Sequence, residues 1–74
     1  MTKQDYLDWA EDYRRQADIL AEKIDRLRER LKNPHIRNID RSASEAQLID
    51  MIDMKLECRC AMMALLKRAE GIKE

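Results

Sequence analysis

Cys58 and Cys60 are the only cysteines in a chain of 74 residues, and they stand one residue apart in the stretch MKLECRCAMMALLKR. Two thiols that close could serve a metal, a redox couple or packing. The flanking residues lack Gly and Pro and favour a helix, where positions two apart diverge by about 200°. The thiols then point to opposite sides and can neither share a metal nor bond to each other. A zinc site needs about four converging Cys or His ligands, and the one histidine, His35, lies far away in a polar connector. The expectation is no metal and no cofactor, with each thiol packing as a small hydrophobe. The alternative is a Cys58 contact with Cys58 of a second copy across a dimer axis, which air would oxidise.

Other chemistry is no better supported. No Ser, Cys or Lys occupies a recognisable nucleophile motif, and no Gly-rich phosphate loop occurs. The carboxylates spread along solvent faces, and two helices leave no pocket to perturb them. The sequence therefore predicts neither an enzyme nor a small-molecule substrate.

The elements that position these residues are legible from spacing. Thr2 and Asp5 form a capping box. Tyr6, Ala10, Tyr13, Ala17, Leu20, Ile24, Leu27 and Leu31 then follow in alternating steps of 4 and 3, a heptad seam. Asn33-Pro34 ends the helix, since a residue before proline avoids the α region. The first helix is expected over about 3–32. The connector is 33–41, with Ile36 and Ile39 folding back over the end of the bundle. Ser42 or Ser44, followed by Glu45, reads as the cap of a second helix over about 43–70, with Gly71 in a C′ position.

On a wheel at about 100° per residue, Ile49, Ile52, Leu56, Cys60 and Met63 form one stripe of the second helix, extended by Leu48 and Leu66. Met51, Met54, Cys58, Met62 and Leu65 form another, with Ala61 and Ala69 beside it. A two-helix hairpin covers only one of them. The reading assigns the Ile/Leu stripe to the inside and the Met/Cys stripe to the outside. Those outer methionines either fill a homodimer core, which is preferred, or receive a helix of another protein.

Charge order sets the orientation. Each helix begins acidic and ends basic, from Asp5, Asp8, Glu11 and Asp12 to Arg26, Arg28, Arg30 and Lys32, and from Glu45, Asp50 and Asp53 to Lys67 and Arg68. Antiparallel packing brings opposite ends together and suits both helix dipoles. The predicted fold is all-α: an antiparallel coiled-coil hairpin forming a single domain, 1–74. Below about 70–80 residues one core rarely supplies more than ~3–5 kcal/mol. A homodimeric four-helix bundle is therefore expected.

Composition excludes several partners. Lys and Arg number 15, as do Asp and Glu, so the net charge is zero and broad nucleic-acid or membrane attraction is not expected. No apolar run approaches the ~18 residues of a membrane span. MTKQDYLDWAEDYRR is too polar for a signal peptide, which implies a cytoplasmic protein with reduced thiols. Lys23 to Arg41 carries seven Lys or Arg against Asp25, Glu29 and Asp40. The alternative function is nucleic-acid association through Arg26, Arg30, Arg37 and Arg41. Without interleaved aromatics, a solvated face with pairs such as Glu22–Arg26 is the preferred account. Trp9 lies just off the seam, as an edge packer or a partner hot spot, with edge packing preferred.

Lys3-Gln4-Asp5-Tyr6-Leu7 opening an Arg- and Glu-rich heptad helix, then Arg41-Ser42-Ala43-Ser44 before a second long helix, resembles the N-terminal helical region of small prophage-associated, sigma-70-like transcription regulators of Gram-positive bacteria. In that family a helical hairpin precedes a DNA-binding helix-turn-helix. Nothing resembling one follows Gly71. The resemblance therefore implies a fragment of such a regulator or a stand-alone hairpin, and it assigns DNA binding to no residue here.

The reading is thus a non-enzymatic interaction and oligomerisation module, possessing a role in assembly or in transcription of a mobile element. It predicts that Ile52→Asp unfolds the chain, and that Met54→Glu or Met62→Glu releases monomers.

Overall fold

The computed structural model describes residues 1–72. Lys73 and Glu74, the last two residues of the expected 1–74 domain, lie outside them. Two helices, α1 (Lys3–Leu31) and α2 (Asn38–Glu70), pack side by side as a hairpin, and the described residues contain no strand. Along one edge of the contact Leu7 and Ala10 lie beside Met62 and Leu66, while Ile24 and Arg28 lie beside Ile52 and Leu56, so the helices run antiparallel.

The start of α1 follows its local chemistry. The Asp5 N–H donates to Thr2 Oγ1 at 3.2 Å, and the Thr2 N–H donates to Asp5 Oδ2 at 3.0 Å, closing the expected capping box. Its seam buries as the spacing requires. Ala10, Ala17, Leu20, Ile24 and Leu27 are buried, and Tyr6, Tyr13 and Leu31 are half-buried. In the turn beyond Leu31, Asn33 Oδ1 accepts from the His35 N–H at 3.0 Å, which bends the chain around Pro34.

The second helix departs from expectation at its start. It begins at Asn38, five residues before the expected 43, behind Arg37, whose side chain makes no capping bond. Nothing in Asn38-Ile39-Asp40-Arg41 breaks a helix, so the chain winds as soon as it clears Pro34. Ser42 and Ser44 consequently lie inside α2 rather than at its cap, and Ser44 is buried. Ile36 is half-buried at the turn, but Ile39 is 82% exposed and does not fold over the bundle end. Gly71 caps α2 with φ −74°, an ordinary right-handed conformation rather than the left-handed one of a C′ glycine.

The hairpin is a rod of 58 × 14 × 13 Å with a radius of gyration of 16.9 Å, against ~11 Å for a globular chain of this length. Its accessible surface is 5944 Å², where a globular monomer of 8.8 kDa would expose ~4,800 Å². Roughly 1,200 Å² of surface is thus left open that a rounder fold would cover.

Candidate interaction surface

The two apolar stripes of α2 are placed the opposite way round from the sequence reading. Ser44, Leu48, Met51, Lys55, Cys58, Met62, Leu65, Ala69 and Ile72 follow one another in steps of 4 and 3, and all are buried or half-buried. This is the seam that meets α1. Of the five residues expected to face outward, Leu65 is only 5% exposed, and Met51, Cys58 and Met62 are half-buried; Met54 alone is exposed, at 51%. The physical reason is continuity. A helix that must cover α1 along its whole length needs an unbroken 4–3 row, and this row runs from Ser44 to Ile72. Its polar members tolerate the position, since Ser44 is small and Lys55, half-buried beside Ala21, has a long aliphatic stem that can cover apolar surface while its ammonium reaches water.

The Ile/Leu stripe faces outward. Ile49 is 61% exposed, Leu56 55% and Met63 58%, with Cys60 also exposed and Ile52 half-buried. These residues cover about 80° of the helix circumference, and their centre lies about 140° from the centre of the α1-facing seam. Beside the stripe, a shallow groove runs the length of the hairpin between the helices. Ala10, Ala17 and Ala21 of α1 form its floor, facing Met62, Leu66 and Ile52 of α2. Arg14, Arg28, Lys55 and Arg59 alternate with Glu11, Asp18 and Asp25 along its edges.

The thiols separate as the helical spacing requires. Cys58 faces α1, where its Sγ–H donates to Gln16 Oε1 at 3.8 Å, whereas Cys60 lies on the exposed stripe. A Cys58 contact with a second copy is therefore set aside, because that thiol is turned into the hairpin. No three His, Cys, Asp or Glu residues come close enough to hold a metal among the described residues. His35 sits exposed in the turn.

Trp9 stacks on Tyr13, with ring centroids 6.4 Å apart and planes at 28°. It packs on the edge of the seam while remaining 42% exposed.

Of the four arginines named for nucleic-acid association, Arg26 and Arg30 lie four residues apart on one face of α1. Arg26, Arg30 and Arg37 are exposed and Arg41 is half-buried in the first turns of α2. Arg28 lines the groove about 200° around α1 from Arg26. Ion pairs stay local: Glu11 holds Arg14 at 2.6 Å and Arg15 at 4.0 Å, and Glu29 holds Lys32 at 3.0 Å. The Glu11 carboxylate raises the pKa of the Arg14 guanidinium above its ordinary value through a hydrogen bond and its charge. At the other end of the scale, the Thr2 N–H and hydroxyl lower that of Asp5.

No helix among the described residues is long and apolar enough to cross a membrane. Comparison of the chain with protein-family profiles, with characterised proteins and with solved structures returned no match.

Proposed function

We propose that this chain is a non-enzymatic helical interaction module whose docking face is the outer stripe of α2, centred on Leu56. One observation carries the reading. Ile49, Leu56 and Met63 are each more than half exposed at every second turn of one helix face, with Ile52 and Cys60 between them, and contiguous apolar surface of that kind marks a contact site. The interface therefore moves from Met51, Met54, Cys58, Met62 and Leu65 to Ile49, Ile52, Leu56, Cys60 and Met63. A reducing, cytoplasmic setting suits an exposed Cys60 thiol on that face.

The role would be assembly or regulation. A place in transcription of a mobile element rests on the resemblance to prophage-associated regulators. Of the residues that carry it, Lys3 to Leu7 lie in the first turns of α1, whereas Arg41-Ser42-Ala43-Ser44 lies within α2 instead of a connector.

A photo-crosslinking residue at position 56, in the full chain expressed in its native host, tests the reading without naming a partner. A discrete protein adduct is expected at position 56 and none at position 15, on the polar face of α1. Equal yields at both positions, or none at 56, would overturn the proposal.

A further inference from the structure

The outer stripe of α2 is symmetric along the helix. Ile49 and Met63 lie seven residues either side of Leu56, Ile52 and Cys60 lie four, and Glu45 and Lys67 lie eleven. The apolar stretch is therefore bounded by an exposed carboxylate at one end and an exposed ammonium at the other, both on the line of the stripe. Such a face is complementary to itself, but in one direction only. Antiparallel pairing sets each Glu45 opposite a Lys67, twice. Parallel pairing sets Glu45 against Glu45 and Lys67 against Lys67.

Resting on the reading above that this stripe is a docking face, we infer that its partner is a second copy of the chain. The two α2 helices pack antiparallel about a two-fold axis beside Leu56. Ile49 then meets Met63 of the other copy, Ile52 meets Cys60, and the two Leu56 side chains meet each other. An isologous contact of this kind closes on itself and stops at two copies. A stable interface needs about 800 Å² from each partner, so the contact takes in the residues of α2 flanking the stripe between Glu45 and Lys67 as well as the stripe itself.

The axis position makes a specific redox prediction. Cys60 lies four residues from the axis, so two Cys60 residues sit about 12 Å apart along the paired helices at ~1.5 Å per residue. A disulfide needs Cα atoms within ~7 Å. The wild-type chain should thus resist cross-linking by oxidant through Cys60. Leu56→Cys in a Cys60→Ser background should cross-link readily, at a rate well above Cys60→Ser alone.

Light scattering on the full chain with reducing agent gives the first test. A mass near twice 8.8 kDa is expected. Glu45→Lys or Lys67→Glu alone should weaken association roughly ten-fold, by placing two like-charged contacts in the dimer. The double variant should restore it. A folded monomer at high micromolar concentration would overturn the second copy as partner while leaving the docking face to another protein, which the cross-linking at position 56 reports separately. A dimer indifferent to both charge reversals, or one cross-linked efficiently through native Cys60, would overturn the antiparallel pairing at Leu56.

Discussion

The two helices of the hairpin use their apolar residues differently. In α1 nearly every large apolar side chain belongs to one seam, and Ile19 and Trp9 are the large ones left exposed. In α2 apolar residues occur on two sides, and only one side meets α1. The first helix is thus matched to its partner, while the second carries more apolar surface than one partner can cover. The difference separates what holds the fold from what the fold presents. Residues of α1 stabilise the hairpin, and Ile49, Leu56 and Met63 of α2 remain exposed beyond it.

The sharpest way to break this comparison is a charge in the α1 seam. Ile24 is 4% exposed, and Ile24→Asp strands a carboxylate without a partner, at more than ~4 kcal/mol. That is about the whole margin of a small core, so circular dichroism should show an unfolded chain at room temperature. Ile52→Asp, at the half-buried edge of α2, should remain helical. The reverse pattern would return the Ile/Leu stripe to the inside.

Within α2 the two stripes should separate by truncation. Leu65→Ala removes a buried side chain and should cost about 2–4 kcal/mol of hairpin stability. Leu56→Ala should cost less than ~0.5 kcal/mol when denaturation is followed below the concentration at which chains associate. Comparable losses for the two would mean that both faces are covered within one chain.

The fold was legible where spacing alone decides. The Thr2–Asp5 box, the seam from Tyr6 to Leu31 and the stop at Asn33-Pro34 each rest on a local rule, and the structure follows them. The start of α2 was misread because Ser42-Ala43-Ser44-Glu45 matches a capping signature that the helix simply runs through. The same misreading hid the inner seam. With Ser44 read as a cap and Lys55 in neither apolar stripe, the true 4–3 row has gaps, while Ile49, Ile52 and Leu56 look like the core. Both stripes are apolar, and α1 selects the one that is continuous along its length. The row from Ser44 to Ile72 would have been found by demanding an unbroken partner for the α1 seam.

The outer stripe can be probed without touching the fold. Met63→Glu and Met62→Glu alter neighbours of identical type whose faces differ by about 100°. Met63→Glu should leave the dilute chain's melting unchanged and weaken association by at least ten-fold, because a charge is then desolvated in the contact. Met62→Glu should instead lower the melting temperature of the dilute chain. Light scattering and thermal melts on the same two samples decide the matter, and a pair that behaves alike removes the distinction between the faces.

The smallest expected effect concerns the end of α1. Thr2→Ala removes the cap hydroxyl and should cost about 1 kcal/mol. Asp5, the other half of the box, adds a pH dependence. Its pKa is lowered from 3.8 in the folded chain, because the charged form accepts the Thr2 N–H and hydroxyl bonds. A lowered carboxylate stabilises the fold above its unfolded pKa, and that contribution fades as the pH falls through the folded value. Wild type should therefore melt above Asp5→Asn near neutral pH, and the two curves should converge once the pH is well below 3.8. Both residues are fully solvated, so salt should shrink the difference. A gap that persists in acid would show that Asp5 acts through its shape in the box and not through its charge.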